Sequence, residues 1–268
     1  MSTTFYPSAI VEILSDAKNV VVITGSGISA PSGLPTFIAQ PSLKEFFTYE
    51  SLIKQPEKTW LVHEQLKAKA LAAKPNAGHI TLATFETYFP SFHLFTQNID
   101  GLHQRAGSKQ VTEVHGSLFR IRCDSPASMS LVDRSGLYLP VLCNDIHDFD
   151  EVKGVCRRCG NQLRHDIVLY GEALGSGVLD AIMGEVALCD FLLIVGTSGL
   201  VNPVNQAAQL MMERRMPVLE INLAPSLPQA LTIPAKGDAA RVLTSLASDL
   251  TKLREQPPVR SAEDYLRM

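Results

Sequence analysis

The sequence predicts an α/β fold, a doubly wound parallel sheet that carries a smaller inserted subdomain. Strand patterns alternate with helix patterns along most of the 268 residues, which is the arrangement that produces a parallel sheet with helices on both faces. The runs 20–24 and 191–195 are almost entirely apolar or β-branched, as expected of strands covered on both faces. Two excursions, 38–78 and 117–165, interrupt the alternation. We expect both to join one small module within a single domain over 1–268.

The elements are predicted from apolar periodicity and from the turn residues between them. Helices are expected at 8–17, 46–50, 57–73, 80–86, 180–188, 204–213 and 239–253, and strands at 20–24, 91–96, 111–114, 166–170, 191–195, 217–221 and 229–233. The strand 166–170 is expected to return the chain to the main sheet. In the helix 57–73, Leu61 and Leu71 are assigned to the apolar face. His63, in the same helix, and His79, after it, are assigned to the surface or to helix caps.

Bulk composition narrows the functional classes. The net charge is −3 and the pI is about 6.2, so electrostatics do not favour nucleic-acid binding. No apolar run reaches the ~20 residues that span a bilayer, and residues 1–7 lack the basic and apolar regions of a secretory signal. Five cysteines, an odd number, argue against a disulfide framework and for an intracellular, reducing compartment in which thiols can bind metal.

Polar side chains follow two of the predicted strands. Gln97, Asn98 and Asp100 come after the strand 91–96, and His115 follows the strand 111–114. If both strands lie in one parallel sheet, these side chains meet at its carboxyl edge, where open α/β sheets bind ligands. A histidine there suits a general base, because its unperturbed pKa is about 6.5, and Gly116 is expected to leave room for a ligand. The convergence favours a catalytic site over residues that only cap helices.

A glycine turn follows the strand 20–24. The order of strand, Gly25-Ser26-Gly27 and helix start is the layout that lets backbone N–H groups approach a diphosphate. The spacing differs from the dinucleotide fingerprint, because the third glycine, Gly33, comes three residues later than that pattern requires. From these residues alone, phosphate binding and a plain tight turn both remain open.

Four of the five cysteines fall in the polar excursion 117–165. Cys156 and Cys159 form a knuckle whose thiolates can chelate one metal ion, and Zn²⁺ favours four ligands in a tetrahedron. Cys123 would supply a third thiolate, but the residue three positions later is Pro126, which cannot ligate. The fourth ligand is expected from Cys143, with Asp145 and His147 as weaker substitutes. A structural zinc ion would stabilise an excursion that lacks a core of its own; the alternative is a degenerate site without metal.

Taken together, these segments resemble the sirtuin family of NAD-dependent protein deacylases. The resemblance rests on an ordered set of motifs: TQNIDGLH at 96–103 with VHG at 114–116, GSGIS at 25–29, SGLPTF at 32–37, CRRCG at 156–160, GE at 171–172, GTS at 196–198 and IN at 221–222. One such motif is weak evidence, whereas the ordered set spans nearly the whole chain.

The resemblance implies a Rossmann-like doubly wound parallel sheet with a smaller helical and zinc-binding subdomain, and a cleft that holds NAD and an acylated lysine of a protein or peptide. It implies that the acyl oxygen displaces nicotinamide from NAD, and that free lysine and O-acyl-ADP-ribose are released. The residues it assigns to catalysis are His115, as general base, with Asn98 and Asp100.

The same resemblance assigns the remaining site residues. Those assigned to the cofactor are Gly25, Ser26, Gly27, Ile28, Ser29, Pro35, Thr36, Phe37, Gln97, Asn98, Ile99, Asp100, His115, Gly196, Thr197, Ser198, Asn222, Leu223 and Ala239. Those assigned to the substrate, through strand addition, are Ile167, Val168, Leu169, Tyr170, Gly171 and Glu172. The metal ligands are Cys123, Cys143, Cys156 and Cys159.

Two positions depart from the family pattern. Ser26 stands where the family usually has alanine, and Ile38 stands where an arginine usually follows Phe37; the missing guanidinium predicts low or altered turnover. The segment 38–44 holds no tyrosine or arginine that could bind an acidic acyl group. Three activities remain open from the sequence: deacylation, mono-ADP-ribosyl transfer or NAD hydrolysis in the same pocket, and NAD binding without turnover.

Overall fold

The computed structural model describes residues 5–36, 39–123, 131–132, 138–139, 146–148, 163–174, 177–198 and 203–255. The helices are α1 (Ala9–Asp16), α2 (Tyr49–Lys54), α3 (Pro56–Ala72), α4 (Ala77–Phe85), α5 (Leu102–Arg105), α6 (Val178–Leu188), α7 (Val204–Glu213) and α8 (Ala239–Glu255). The strands are β1 (Asn19–Thr24), β2 (Ser91–Thr96), β3 (Val111–Glu113), β4 (Gly116–Cys123), β5 (Leu131–Val132), β6 (Tyr138–Leu139), β7 (Ile146–Asp148), β8 (Leu163–Ile167), β9 (Phe191–Val195), β10 (Val218–Asn222) and β11 (Ile233–Lys236).

The main sheet confirms the predicted fold class. Its six strands are all parallel and lie in the order β11-β10-β9-β1-β2-β3, which is the doubly wound order of a Rossmann sheet. The strand order reverses between β1 and β9. The turns 25–29 and 196–198 follow these two strands, so both flank the switch point at which such sheets bind ligands.

Alternate side chains of β1 enter two separate hydrophobic cores. Val20 and Val22 pack with residues of α1, α4 and α8 on one face, whereas Val21 and Ile23 pack with residues of α6 and α7 on the other. All four are at most 2% exposed. This burial on both faces is the physical reason for the unbroken β-branched run that predicted a central strand.

A smaller sheet, in the order β7-β4-β8, contains the strand that was predicted to belong to the main sheet. The strand predicted at 166–170 is in fact β8, which ends at Ile167 and pairs antiparallel with β4, as β7 does on the other side. The chain therefore does not return to the main sheet there, and Tyr170 instead forms an isolated bridge with Thr48. An apolar run predicts a strand but not its partner, and β4 offers an eight-residue strand along which β8 can pair.

The helical segment before α4 also differs from expectation. The helix predicted at 46–50 is a 3₁₀ helix, Pro41–Phe47, followed by α2, whose first turn is capped by the Thr48 hydroxyl. The apolar assignment of Leu61 and Leu71 is wrong, since they are 56% and 57% exposed. His63 is buried and not at the surface. Its Nε2 lies 2.8 Å from the Phe46 carbonyl, a hydrogen bond that offsets the cost of removing this nitrogen from water.

The remaining elements follow the prediction closely. His79 closes a capping box with Asn76 at the start of α4, as expected of a capping residue. Helix α7 has the predicted bounds, but the strand predicted at 229–233 lies later, at Ile233–Lys236, because the residues before it form a loop bonded to Glu220. In the described ranges, no helix has the length and apolar character needed to cross a membrane.

Candidate active site at the carboxyl edge of the sheet

The polar residues predicted to converge do meet at one edge of the sheet. Strands β2 and β3 are parallel neighbours, with Thr96 opposite Glu113. Gln97, Asn98 and Asp100 therefore leave the sheet beside the segment that carries His115. The two strands thus lie in one parallel sheet, as a shared site for these residues requires.

Ser29 is the hub of a buried polar cluster at this edge. Its Oγ donates to Asp100 Oδ2 at 2.7 Å, accepts from Asn98 Nδ2 at 3.0 Å and lies 3.3 Å from His79 Nε2. Because the backbone N–H of Asn76 donates to His79 Nδ1 at 3.3 Å, the proton of neutral His79 is on Nε2, which donates to Ser29. One donation and two acceptances use the full capacity of the hydroxyl, so Ser29 has a single orientation.

Asn98 gives both of its amide hydrogens to the protein. Its Nδ2 donates to the Gly25 carbonyl at 3.1 Å and to Ser29 at 3.0 Å, and its backbone N–H donates to Thr96 Oγ1 at 3.1 Å. These bonds orient the amide plane. Oδ1 is then the atom through which Asn98 can accept a hydrogen bond from a ligand.

Asp100 is a carboxyl group removed from water. Burial raises the pKa of Asp100, and hydrogen bonds from the Leu102 N–H and the Ser29 hydroxyl oppose that shift. The Leu102 N–H donates to Oδ1 at 2.9 Å, while Ser29 holds Oδ2. A desolvated carboxyl group with a perturbed pKa at a ligand-binding edge is typical of functional sites.

A second buried histidine lies behind this cluster. The rings of His103 and His79 are 4.8 Å apart, and His103 Nε2 lies 3.0 Å from Thr24 Oγ1. Since Thr24 donates its hydroxyl proton to Thr96 at 2.9 Å, His103 Nε2 is the donor to Thr24. Burial lowers the pKa of His79 to about 4 and that of His103 to about 3, so both rings are neutral at pH 7.

His115 is held as a neutral base. Its Nδ1 lies 3.0 Å from the Gln97 carbonyl, and because a carbonyl only accepts, Nδ1 carries the proton and Nε2 carries the lone pair. Burial lowers the pKa of His115, and the bond to Gln97 opposes the shift. The His115 carbonyl also accepts from the Val168 N–H at 2.9 Å, which ties His115 to the residue that directly follows β8.

The space beside the Gly116 Cα is filled by protein, which corrects the role expected of this residue. That residue has φ +78°, and a Cβ on it would lie 2.0 Å from the Asp166 carbonyl oxygen. Gly116 is therefore needed for the close approach of β8, not for a ligand. Arg120 strengthens the same junction, because it bonds Glu113 of β3 at 2.6 Å and Asp166 of β8 at 3.1 Å.

The glycine turn after β1 packs against the turn after β9. A Cβ at Gly25 would lie 2.8 Å from the Gly196 carbonyl oxygen, and one at Gly27 would lie 2.7 Å from Gly196 Cα. The N–H groups of Gly25, Gly27, Ile28 and Ser29 all donate within the chain. The structure thus supports the tight turn, and diphosphate binding by this segment stays a prediction.

The other end of the edge is held by one pair of side chains and by two bonds to backbone carbonyls. Thr197 Oγ1 donates to Gln97 Oε1 at 2.7 Å, and Asn222 Nδ2 donates to the Thr197 carbonyl at 2.7 Å. The Ser198 carbonyl accepts from the Ser226 hydroxyl. These contacts join the ends of β2, β9 and β10 around the turn 196–198.

The remaining predicted cofactor residues differ in what they can offer. The side chains of Ile28 and Ala239 lie in the hydrophobic core, so those residues could reach a ligand only through their backbone. Leu223 is 67% exposed, and Ile99 packs against a second apolar cluster. Pro35 and Thr36 are half-buried, whereas Phe37 and Ile38 lie outside the described residues.

The predicted substrate segment, Ile167 to Glu172, is folded back on itself. Leu169 donates its N–H to Glu172 Oε2 at 2.9 Å, and buried Arg164 bonds both Glu172 Oε1 and the Ile167 carbonyl. The Tyr170 N–H donates to the Phe47 carbonyl at 2.7 Å. An added strand would therefore have to use other backbone groups of this segment or replace these bonds.

The predicted zinc site lies largely outside the described residues. Cys143, Cys156 and Cys159 are there, whereas Cys123 ends β4, opposite Leu163 of β8, and is 2% exposed. Within the described ranges, no three His, Cys, Asp or Glu side chains form a metal-binding group. The zinc site remains a prediction.

Three buried residues at this edge escaped sequence reasoning. The His103–Thr24 bond could have been suspected, because Thr24 and Thr96 both end predicted strands and His103 lies in the same motif as Asn98. Glu220 had a signal as well, since it is a lone carboxylate in an otherwise apolar strand pattern and is 0% exposed. The contact of His79 with Ser29 had none, because the two residues are 50 positions apart.

Comparisons with known proteins agree with this geometry. The Sir2 family model matches residues 25–203. An "NAD-dependent protein deacylase 2" of Pyrobaculum aerophilum is 34% identical over 91% of this chain and 95% of its own, and an "NAD-dependent protein deacylase" of Pyrococcus furiosus is 34% identical over 90% and 97%. The crystal structure of a Sir2 homologue in complex with NAD is 30% identical, covers 92% of this chain and 94% of its own, and superposes with a TM-score of 0.80. The chain belongs to the Sir2 family.

Proposed function

We propose that this protein is an NAD-dependent protein deacylase that acts on acylated lysine. The observation that carries the proposal is His115, whose Nδ1–H is fixed by the Gln97 carbonyl so that Nε2 is basic, at the same sheet edge as Asn98 and Asp100. The names of its relatives, both NAD-dependent protein deacylases, support the same activity. So does a 25% identical Sir2 structure with a TM-score of 0.74, which holds 2′-O-acetyl-ADP-ribose and a deacetylated p53 peptide.

The described residues fit NAD by the chemistry of their polar groups. The edge offers an oriented amide oxygen on Asn98, a desolvated carboxyl on Asp100 and a hydroxyl and carbonyl pair on Thr197. When bound, NAD supplies a ribose carbon from which nicotinamide can leave. Asn98 and Asp100 would hold the nicotinamide end, while Thr197 and Asn222 would hold the adenosine end.

His115 would act as the general base. Its lowered pKa keeps the imidazole neutral near pH 7, so Nε2 can take a proton from a ribose hydroxyl, which makes that oxygen nucleophilic. Gln97 holds the ring in the tautomer that this transfer requires. Overall, one water is consumed, nicotinamide leaves, and the acyl group moves from the lysine nitrogen to the ribose oxygen, so the reaction is an acyl transfer as well as an amide cleavage.

We further propose one catalytic domain over 1–268, with 38–78 and 117–165 forming the smaller module. A structural Zn²⁺ bound by Cys156, Cys159, Cys123 and Cys143 would stabilise that module. Metal analysis should find one zinc per chain in the purified protein, and Cys159→Ser should lose it and unfold at lower temperature. Cys143→Ser tests the fourth ligand alone. A wild-type protein without zinc would contradict the metal site.

The decisive experiment incubates the protein with NAD and an acetyl-lysine peptide, and measures nicotinamide, O-acetyl-ADP-ribose and free peptide. We expect all three products in equal amounts. Nicotinamide release that does not depend on the peptide would favour NAD hydrolysis. ADP-ribose attached to a protein would favour mono-ADP-ribosyl transfer. NAD binding without any product would leave a binding protein, contrary to the proposal.

A further inference from the structure

The strand β10 carries a carboxylate that the proposed chemistry does not use. Glu220 is 0% exposed, although its neighbours in the strand are apolar. We infer that Glu220 is a positioning residue for the adenosine end of the NAD site, which it shapes by anchoring the loop 223–232. This inference rests on the proposed function, because it assumes that the carboxyl edge binds NAD.

The anchoring is visible in the hydrogen bonds that Glu220 accepts. The Ser226 N–H donates to Oε1 at 2.8 Å, the Leu227 N–H donates to Oε2 at 3.2 Å, and the Thr232 hydroxyl lies 3.5 Å from Oε2. Hydrogen bonds to an ionised group are about twice as strong as neutral ones. A buried carboxylate with three donors from one loop therefore holds both limbs of that loop against the strand.

The loop in turn contacts the turn that the adenosine end is predicted to meet. The Ser226 hydroxyl donates to the Ser198 carbonyl, so the residue whose N–H bonds Glu220 also bonds the turn 196–198. Two positions along β10, on the same side of the strand, Asn222 Nδ2 donates to the Thr197 carbonyl. Glu220 and Asn222 thus fix two consecutive carbonyls of that turn, one through the loop and one directly.

A purely structural role predicts a different outcome from a positioning role. If Glu220 only stabilises the fold, its replacement lowers stability, and ligand affinity follows only as far as the protein unfolds. If it shapes the adenosine end, the folded variant itself binds more weakly. Asp190 provides a control, because its half-buried carboxylate also accepts backbone N–H groups, those of Lys18 and Asn19, but at the opposite edge of the sheet.

The experiment compares Glu220→Gln with Asp190→Asn, each isosteric with the native side chain. ADP-ribose affinity is measured by calorimetry, stability by thermal unfolding, and KM for NAD and kcat by nicotinamide release. In Glu220→Gln the new amide hydrogens face donors, so we expect a Kd for ADP-ribose raised roughly ten-fold, equal to about 1.4 kcal/mol. KM for NAD should rise with it, while kcat changes little. Asp190→Asn should lower the unfolding temperature and leave Kd unchanged.

Ser226→Ala keeps the inference testable if Glu220→Gln does not fold. It removes the exposed hydroxyl that bonds Ser198 and retains the N–H that bonds Glu220, and we expect weaker ADP-ribose binding at unchanged stability. The inference is overturned if the affinity for ADP-ribose is unchanged in both Glu220→Gln and Ser226→Ala, or in whichever of them folds. It is also overturned if Asp190→Asn loses as much affinity as Glu220→Gln. Wild-type protein that does not bind ADP-ribose would overturn the proposed function and this inference together, whereas the variant results alone leave the proposed function intact.

Discussion

The two ends of the carboxyl edge differ in the share of contacts that join one side chain to another. At the predicted nicotinamide end, side chains bond other side chains: Ser29 joins Asp100, Asn98 and His79 within 3.3 Å. At the predicted adenosine end, side chains bond mainly backbone atoms: Asn222 bonds the Thr197 carbonyl, and Glu220 bonds two N–H groups of the loop 223–232. Each end contains buried side chains, such as Asp100 and Thr197 at 7% exposed, so burial alone does not explain the difference in contacts.

The difference predicts how each end responds to change. In a network of side chains, the orientation and protonation of each group depend on the others, so a substitution alters the chemistry of its neighbours. A side chain that bonds the backbone fixes shape instead. We therefore expect substitutions at the nicotinamide end to reduce kcat, and substitutions at the adenosine end to raise KM.

The largest expected effect is at His115. Its side chain bonds a backbone carbonyl, that of Gln97, but we propose that it takes part in the chemical step. His115→Ala should lower deacylation by about 10²–10⁴-fold, the usual loss on removal of a general base. NAD affinity should remain near normal, and labelled nicotinamide should still exchange in the presence of acyl-peptide. Loss of exchange as well would mean that His115 acts earlier, and full activity would exclude it as the base.

A smaller effect is expected at the hub of the side-chain network. Ser29→Ala removes the donor to Asp100 and the acceptor of Asn98, so kcat should fall roughly ten-fold or more, since an unsatisfied buried group costs about 1–3 kcal/mol. The matched control is Ser32→Ala in the same turn, where the hydroxyl only accepts from Asn76 at 2.9 Å. If Ser29→Ala raises KM for NAD and leaves kcat unchanged, the proposed contrast between the two ends fails.

The third expected effect is on stability in mild acid and not on turnover. The folded-state pKa values of about 4 for His79 and about 3 for His103 lie below the usual 6.5, so the unfolded chain binds protons first as the pH falls. Each of these histidines should lower the unfolding free energy by up to about 1.4 kcal/mol per pH unit below pH 6.5. Their contribution to stability is complete above that pH and is lost as the pH falls towards the folded-state pKa values of about 4 and about 3.

Urea unfolding at pH 6.0, 5.5 and 5.0 measures this slope. His63 and His165, whose pKa values burial also lowers to about 4, add to it. His103→Gln, which keeps an amide donor, should therefore reduce the slope by one proton. An unchanged slope would mean that His103 is already protonated in the native state and that the tautomers inferred for this end are incorrect.

Much of the fold follows from the sequence alone. The run 20–24 predicts a central strand because its residues are all apolar or β-branched. In the structure each of these side chains is buried on one face of the sheet or the other, which is the reason for that composition. The order of strands and helices then predicts the parallel sheet, and the parallel sheet predicts that Gln97, Asn98 and Asp100 meet the segment of His115. These conclusions need only short-range patterns and the general geometry of α/β sheets.

The tertiary structure decided what depends on partners distant in the chain. Ser29 and Asp100 are 71 positions apart, and no local pattern indicates that they bond. The pairing of β8 with β4, the reason for Gly116 and the bonds accepted by Glu220 likewise depend on which surfaces meet. Protonation follows the same rule: the sequence supplied an imidazole at His115, but the carbonyl of Gln97, brought beside it by the fold, determines which nitrogen is basic.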